Sequence, residues 1–423
     1  MTDSVSARPK RAALAFILVT VALDIVALGL VIPVLPPLIE AFTGSASRAG
    51  WINGMFVAVW SLMQFVFSPI MGALSDRFGR RRVLLVSSFG LAADYVLMAM
   101  APNLWWLAVG RVISGITAAS ISTAFAYIAD VTGPEKRAQA YGMIGAAFGL
   151  GFIVGPALGG WLGEYDLRLP FWVAGALSLL NACYGFFVLP ESLARENRAG
   201  FSWARANPLG SLQFLRSHRE LFGLALVNVA AQFAHYVLPT VFALYALERY
   251  GWGPAGIGAV LAGIGVCAAV IQGGLTGPVV KAVGERTALL AALLCGAAGF
   301  VIYGLAPTGW MFWIGVPIMS FWGMAGPASQ ALMTRLVRPT EQGQLQGANM
   351  SLGSLSGVAA PLVFGGVFAW SAAQGKPPLL GAPFLLAAAL LVGAAALALR
   401  AAARAPVTRE PPPRVPPHTA DLA

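Results

Sequence analysis

The chain has 423 residues, of which 58% are apolar and only 10% are charged, and its formal net charge is +10. Soluble domains typically have about 45–50% apolar and about 25% charged residues, so this composition excludes a soluble enzyme, a disordered chain and a secreted disulfide scaffold. A membrane span needs about 20 mostly apolar residues, and this chain is long and apolar enough for twelve of them. We therefore expect a protein that crosses a membrane many times.

Twelve apolar segments follow one another along the chain, separated by glycine, proline and clusters of charge. The first six spans are predicted at 12–34, 50–72, 83–101, 105–129, 138–163 and 170–189. The second six are predicted at 220–247, 255–278, 287–306, 310–334, 346–369 and 381–400. This pattern predicts a six-helix half at 1–189, a cytoplasmic linker at 190–219, a second six-helix half at 220–400, and a disordered, proline-rich tail at 401–423.

The basic residues are distributed very unevenly between the two sides of the predicted membrane. If the amino terminus is cytoplasmic, the inner loops and tails hold 22 of the 27 basic residues and the outer loops hold four. Basic residues favour the cytoplasmic side, so this bias predicts twelve spans with both termini in the cytoplasm. It also accounts for the net positive charge, and we expect no nucleic-acid partner.

An internal repeat relates the two halves. Residues 72–85 align with residues 277–290, and the same offset of 205 residues takes Pro156 to Pro361 and Gly142 to Gly347. Parallel repeats of six helices with a site between them are a transporter architecture.

Four motifs resemble those of the major facilitator superfamily, in particular the tetracycline/proton antiporters. The loop between spans two and three is similar to the superfamily signature, with Gly72, Asp76, Arg77, Gly79, Arg80 and Arg81. Span five is similar to the antiporter motif of drug exporters, with Gly151, Gly155, Pro156, Gly159 and Gly160. Spans one and four add Asp24-Ile-Val-Ala-Leu-Gly29 and Arg111-Val-Ile-Ser-Gly115. The resemblance implies an all-α facilitator fold with twelve helices in two pseudo-symmetric halves, driven by the proton gradient without a cofactor, in a bacterial-type inner membrane.

Three charged residues lie well inside predicted spans, namely Asp24, Asp94 and Arg111. Each costs a few kcal/mol in hydrocarbon unless it faces a cavity or a partner. Asp94 and Arg111 lie at a similar depth, so a structural ion pair between them is geometrically possible. Asp24 has no partner apparent from the sequence, and burial could let it take up and release a proton near neutral pH. The resemblance also points to Asp24 and Asp94 as the proton-coupling groups.

The loop between spans two and three has features beyond its positive charge. Its arginines help to hold it in the cytoplasm, but they leave the acid and the glycines unexplained. Asp76 could face the positive amino end of span eleven near Gln346 and Gly347, and Arg80 could pair with Asp130. These contacts predict a cytoplasmic latch that breaks when the protein opens inward.

Span five contains several Gly-x-x-x-Gly steps, which let helices pack backbone to backbone. Packing alone explains them, and the resemblance adds a seal between the halves. Polar and aromatic residues within the spans are candidates for the substrate cavity, although each is also a candidate for helix packing. They are Asn53, Trp60, Gln64, Gln232, His235, Tyr236, Gln272, Phe321, Trp322, Asn349 and Met350.

We predict a monomeric exporter that exchanges a small amphipathic compound or drug for protons by alternating access. The alternatives are a proton-coupled or facilitated importer of a sugar or metabolite, and a non-transporting membrane receptor or scaffold. The sequence contains no phosphate-binding loop and no serine nucleophile elbow, so ATP drive and enzymatic hydrolysis are not expected. Three dispersed cysteines and three histidines are too few for a zinc cluster, so no metal site is expected.

The sequence departs from the tetracycline pumps in its second half. Those pumps carry an acidic residue in span nine, where this chain aligns Leu294-Cys295-Gly296, and a histidine in span eight, around Ala268. A cationic metal–drug chelate would therefore find counter-charge only in the first half, and we expect tetracycline to be a poor substrate.

Overall fold

The computed structural model describes residues 4–119, 121–198, 219–338 and 341–404. Over these residues the regular structure is entirely helical. The helices of the first half are Ser4–Val31, Leu35–Thr43, Ala46–Phe78, Arg80–Ala99, Leu104–Ala118, Ile121–Val131, Pro134–Gly163 and Leu169–Val188. Those of the second half are Arg219–His235, Val237–Tyr250, Pro254–Val270, Thr276–Val283, Glu285–Leu305, Gly309–Ser320, Ala325–Thr334, Gln342–Ala373 and Ala382–Arg404.

The described helices account for the predicted spans. Eleven helical segments of the described chain are long and apolar enough to cross a membrane. Predicted span ten is divided into Gly309–Ser320 and Ala325–Thr334 by a 3-10 turn at Phe321–Met324. Pro317 lies inside the first of these helices, where it removes a hydrogen bond, and Pro327 lies in the first turn of the second, where its missing N–H is tolerated. The predicted all-α membrane architecture is confirmed.

Two predicted boundaries differ from the structure or lie outside it. The last helix continues to Arg404, so the predicted tail at 401–423 starts four residues too early. An alanine-rich segment at 401–403 favours continued helix. The remainder of the tail, 405–423, and most of the predicted linker, 199–218, lie outside the described residues.

Several spans contain an interruption in their helix. Span one breaks between Val31 and Leu35, around Pro33, and span seven breaks at Tyr236, three residues before Pro239. Span eight contains a π-helical turn at Ile271–Leu275. Proline removes a helical hydrogen bond, and π-helical turns are found frequently at functional sites. In spans seven and eight the irregular backbone includes two predicted cavity residues, Tyr236 and Gln272.

The internal repeat is also a repeat of backbone conformation. Gly79 has φ of 101° and its counterpart Gly284 has φ of 80°, with ψ of 148° and 156°. Residues that carry a side chain rarely adopt a positive φ of this kind, so glycine is needed at both turns. We call the end of the bundle that contains these two glycines the loop end, and the opposite end the far end.

The two halves are packed closely at the far end and are apart at the loop end. A methyl group at Gly54 of span two would lie 2.5 Å from the carbonyl oxygen of Pro361 in span eleven. A methyl group at Gly160 of span five would lie 2.4 Å from the Pro254 carbonyl oxygen and 3.0 Å from the Gly258 Cα atom, both at the start of span eight. Near the loop end, no atom of another described segment lies within 4 Å of a methyl group built on Gly72, Gly142, Gly145, Gly273 or Gly277. The cleft between the halves is therefore open toward the loop end.

Candidate functional site

Asp24 lies in the middle of span one, and span six supplies a partner for it. The side-chain amide of Asn181 donates hydrogen bonds to Asp24 Oδ1 at 2.8 Å and to the Thr20 carbonyl oxygen at 3.0 Å. No partner for Asp24 could be identified from the sequence alone. The available signal was a single asparagine in a span with few polar residues.

Asp24 also borders a cavity of about 60 Å³ inside the first half. Polar groups of Thr20, Tyr95 and Ser114 line it, together with apolar side chains such as Leu91 and Phe148. A cavity of this size with several polar partners can accommodate water. Asp24 therefore has both a fixed hydrogen-bond donor and space for proton exchange.

Asp94 and Arg111 are both buried, with 0% and 7% of their surfaces exposed. The ion pair that the sequence allowed between them is not formed in the described structure. Arg111 Nη2 instead donates to the Sδ atom of Met98 at 3.2 Å, and neither carboxylate oxygen of Asp94 has a hydrogen-bond partner in the described structure. Met98, one helical turn from Asp94, occupies the position beside the guanidinium.

The loop residues form one of the two contacts that the sequence suggested. Arg80 Nε donates to Asp130 Oδ2 at 3.3 Å, as expected from the sequence. Asp76 forms an ion pair with Arg80, its neighbour one turn along, and its side chain is 44% exposed. The described contacts do not include the predicted approach of Asp76 to the start of span eleven, because the halves are apart at this end.

The loop is also tied to the segment that follows span six, which sequence reasoning missed. Glu191 Oε1 accepts a hydrogen bond from the Arg80 backbone N–H at 2.9 Å, and Arg81 donates to the Phe186 carbonyl oxygen. A side chain at Gly79 would overlap the Glu191 carboxylate. Arg77 contacts the ring of Phe78, with its guanidinium carbon 5.1 Å from the ring centre. Glu191, an acidic residue two positions after the predicted end of span six, was the one sequence feature that pointed to this contact with the loop.

The span-five motif is divided between two neighbours. Gly151, Gly155 and Gly159 pack against span one, where a methyl group at Gly155 would lie 2.7 Å from the Cα atom of Gly29. Gly160 and the Pro156 carbonyl face Gly258 of span eight. Span five therefore contacts both halves through backbone surfaces, which is the geometry of a close helix seal.

The predicted cavity residues separate into a cluster in the second half and others that do not join it. His235 lies beside Trp322, with ring centres 5.7 Å apart, and both are near the interruptions of spans seven and ten. Gln272, in the π-helical turn, contacts Gly323 in the 3-10 turn, where a methyl group would lie 2.9 Å from its Nε2 atom. This aromatic and amide group, together with the partly buried Phe321, we call the span-ten cluster.

The other predicted cavity residues have different surroundings. Tyr236 and Gln232 face Gly357 and Gly353 of span eleven. Asn349 donates to Gln330 Oε1 at 3.3 Å. Asn53 is buried and donates to the Thr240 carbonyl oxygen at 2.7 Å, so it joins the halves rather than facing open space. The remaining three differ in exposure: Gln64 and Trp60 are partly buried, and Met350 is exposed.

Comparisons with known proteins agree with this geometry. A family model described as Major Facilitator Superfamily matches residues 17–361. The tetracycline resistance protein, class C, of Escherichia coli is 39% identical over 376 residues, which are 88% of this chain and 94% of that protein. The tetracycline resistance protein, class G, of Vibrio anguillarum is 37% identical over 355 residues, which are 84% of this chain and 90% of that protein.

A solved structure is similar over nearly the whole chain. The crystal structure of the human organic anion transporter MFSD10 (TETRAN) has a TM-score of 0.67 and 26% identity, covering 92% of this chain and 99% of that chain. The curated relatives and the family model indicate a transporter rather than an enzyme. The chain therefore belongs to the major facilitator superfamily, in the branch that includes the tetracycline resistance proteins.

Proposed function

We propose that this transporter exports a neutral or weakly charged amphipathic compound from the cytoplasm in exchange for protons that Asp24 carries. We further propose that it works as a monomer in a bacterial-type inner membrane, is driven by the proton gradient without a cofactor, and is organised as halves at 1–189 and 220–400 around a linker at 190–219. The observation that carries the proposal is the position of Asp24, which borders a cavity at mid-span and has a fixed hydrogen-bond donor.

The loop end is the cytoplasmic end in this proposal, because the basic loops and both termini belong to it. The cleft opens toward the loop end and is closed at the far end, so the conformation is open to the cytoplasm. In this state a compound can enter from the cytoplasm, and Asp24 can release its proton on the same side. The separated latch residue Asp76 fits the same state.

The chemistry of the second half supports the class of substrate. Its acidic residues in the described chain, such as Glu248 and Glu285, lie at the ends of spans rather than deep within them. The span-ten cluster offers an indole ring, an imidazole and an amide instead. Flat apolar surface with a few polar groups suits an amphipathic ligand that has an aromatic or apolar body.

Replacing Asp24 by asparagine tests the proton carrier. Asp24→Asn should abolish uphill, proton-driven export in energised inverted vesicles while leaving folding and insertion intact, because a neutral amide removes the cost of a charge near mid-span. Asp166→Asn is the matched control, since Asp166 is an exposed acid in the loop between spans five and six.

The same vesicles distinguish the alternatives. Full proton-driven export by the Asp24→Asn protein would exclude Asp24 as the carrier. Alkalinisation of the bath after substrate is added to wild-type inverted vesicles would mean that protons enter the vesicle together with the substrate, and would indicate a proton-coupled importer. The absence of any flux or binding would favour a receptor or scaffold.

A further inference from the structure

Asn181 has a restricted orientation beside Asp24. It is 1% exposed, and its Nδ2 group donates to both the Thr20 carbonyl oxygen and Asp24 Oδ1. A main-chain carbonyl oxygen can only accept hydrogen bonds, so the contact with Thr20 requires the NH₂ side of the amide to face span one. Asp24 therefore meets a hydrogen-bond donor and not an acceptor.

A donor in this position distinguishes the two protonation states of Asp24. A hydrogen bond to an ionised carboxylate is shorter and stronger than one to a neutral acid. The bond from Asn181 also holds Oδ1 on the span-six side, while the Asp24 side chain borders the cavity that Thr20, Tyr95 and Ser114 line. One oxygen is thus fixed by the protein, and the carboxyl group remains next to space that water can enter.

The other groups around Asp24 leave Asn181 as its direct polar contact in the described structure. Tyr95 of span three lines the same cavity, and the buried Asp94 and Arg111 lie beyond it. Tyr184 of span six packs against the ring of Phe16, two turns from Asp24. Span four adds the hydroxyl-bearing Ser114 to the cavity lining, and the other described residues that spans four and five bring to this part of span one are apolar or glycine: Ala118, Ile121, Ala124, Phe148, Gly151 and Gly155.

We propose that Asn181 is a positioning residue for proton exchange, which holds the Asp24 carboxylate beside the cavity and sets the pH at which the antiporter releases its proton. This inference rests on the proposed role of Asp24 as the proton carrier. It assigns span six, which supplies no residue to the predicted sites, a part in coupling.

The test is the pH dependence of export by the Asn181→Leu protein. Leucine has a similar volume but no donor, so Asp24 should release its proton only at higher cytoplasmic pH. One charge-assisted hydrogen bond corresponds to roughly a tenfold change in proton affinity, so the midpoint should move by about one pH unit toward alkaline pH. The measurement is export in inverted vesicles across a series of bath pH values at a fixed proton gradient.

Two further variants make the result specific. Ser178→Ala changes a buried side chain one turn away on the same span, and its profile should match that of the wild-type protein. Asn181→Ala also removes the amide and leaves a side chain smaller than leucine. It replaces the leucine variant if size-exclusion chromatography shows that the leucine variant does not fold. It should show the same alkaline shift.

The outcomes separate this inference from the proposed function. An alkaline shift in an Asn181 variant, with none in Ser178→Ala, supports the positioning role. If Asp24→Asn is inactive but both Asn181 variants keep the wild-type profile, or lose activity equally at every pH, the positioning role is wrong and the carrier stands. If Asp24→Asn retains proton-driven export, the proposed carrier itself is wrong.

Discussion

The packing of spans one and five allows two glycines on one helix to be compared directly. Gly155→Ala would place a methyl carbon 2.7 Å from Gly29 Cα and 2.9 Å from the Val26 carbonyl oxygen. These are backbone atoms, which cannot rotate away as a side chain can. Gly149→Ala, less than two turns earlier on span five, would place its methyl group at least 4 Å from the other described segments. The two substitutions are chemically identical and differ only in this contact.

The expected size of the effect follows from these distances. Favourable carbon contacts lie at about 3.5–4.0 Å, so the methyl group at position 155 requires spans one and five to separate by about 1 Å. Overpacking of this kind typically costs about 1–3 kcal/mol. Alanine gains up to about 1 kcal/mol over glycine in a helix, but both variants receive that gain. Gly155→Ala should therefore be about 1–3 kcal/mol less stable than Gly149→Ala.

The assay is thermal unfolding of the two purified variants in the same detergent, with export and passive proton leak measured in inverted vesicles. At roughly 2 °C per kcal/mol for a large domain, the melting temperatures should differ by about 2–6 °C. Gly155→Ala should also leak more protons, because the separated helices belong to the proposed seal. Gly29→Ala approaches the same contact from span one and should behave like Gly155→Ala. Equal melting temperatures and equal leak for Gly155→Ala and Gly149→Ala would refute this reasoning.

Two further predictions concern the latch and the substrate. Asp76→Ala should shift the population about tenfold toward the conformation open at the loop end. The contact of Asp76 with the amino end of span eleven in the closed state is worth about 1–2 kcal/mol, whereas its exposed ion pair with Arg80 in the open state is worth only about 0.3–0.5 kcal/mol. The rate at which a cysteine introduced at position 142, in a cysteine-free background, is labelled measures this population. Unchanged labelling together with wild-type transport would mean that the loop serves only to orient the chain in the membrane. Expression should raise the inhibitory concentration of chloramphenicol-like compounds or dyes more than that of tetracycline, because losing a buried acidic partner costs about two decades of affinity. A many-fold rise for tetracycline alone would contradict this.

The sequence was sufficient to predict the span pattern and the identity of the charged residues inside the membrane. Lipid cannot hydrogen-bond to the backbone, so each crossing must be a helix of about 20 apolar residues, and that signal is local. The repeated glycine turn at Gly79 and Gly284 was visible for the same reason, because a positive φ is a requirement of one position. The Arg80–Asp130 contact could also be anticipated, since both residues lie at the same end of adjacent spans.

Only the tertiary structure decided which groups meet and which glycines are in contact. Sequence position gives depth along a helix, but it does not give the rotation of that helix or the rotamer of a side chain. That is why Arg111 contacts Met98 rather than Asp94, and why the partner of Asp24 proved to be Asn181, 157 positions away. Contacts between the halves depend in addition on which end of the bundle is open. A single sequence encodes both conformations of an alternating-access protein, so the position of Asp76 away from span eleven could be determined only from the packed helices.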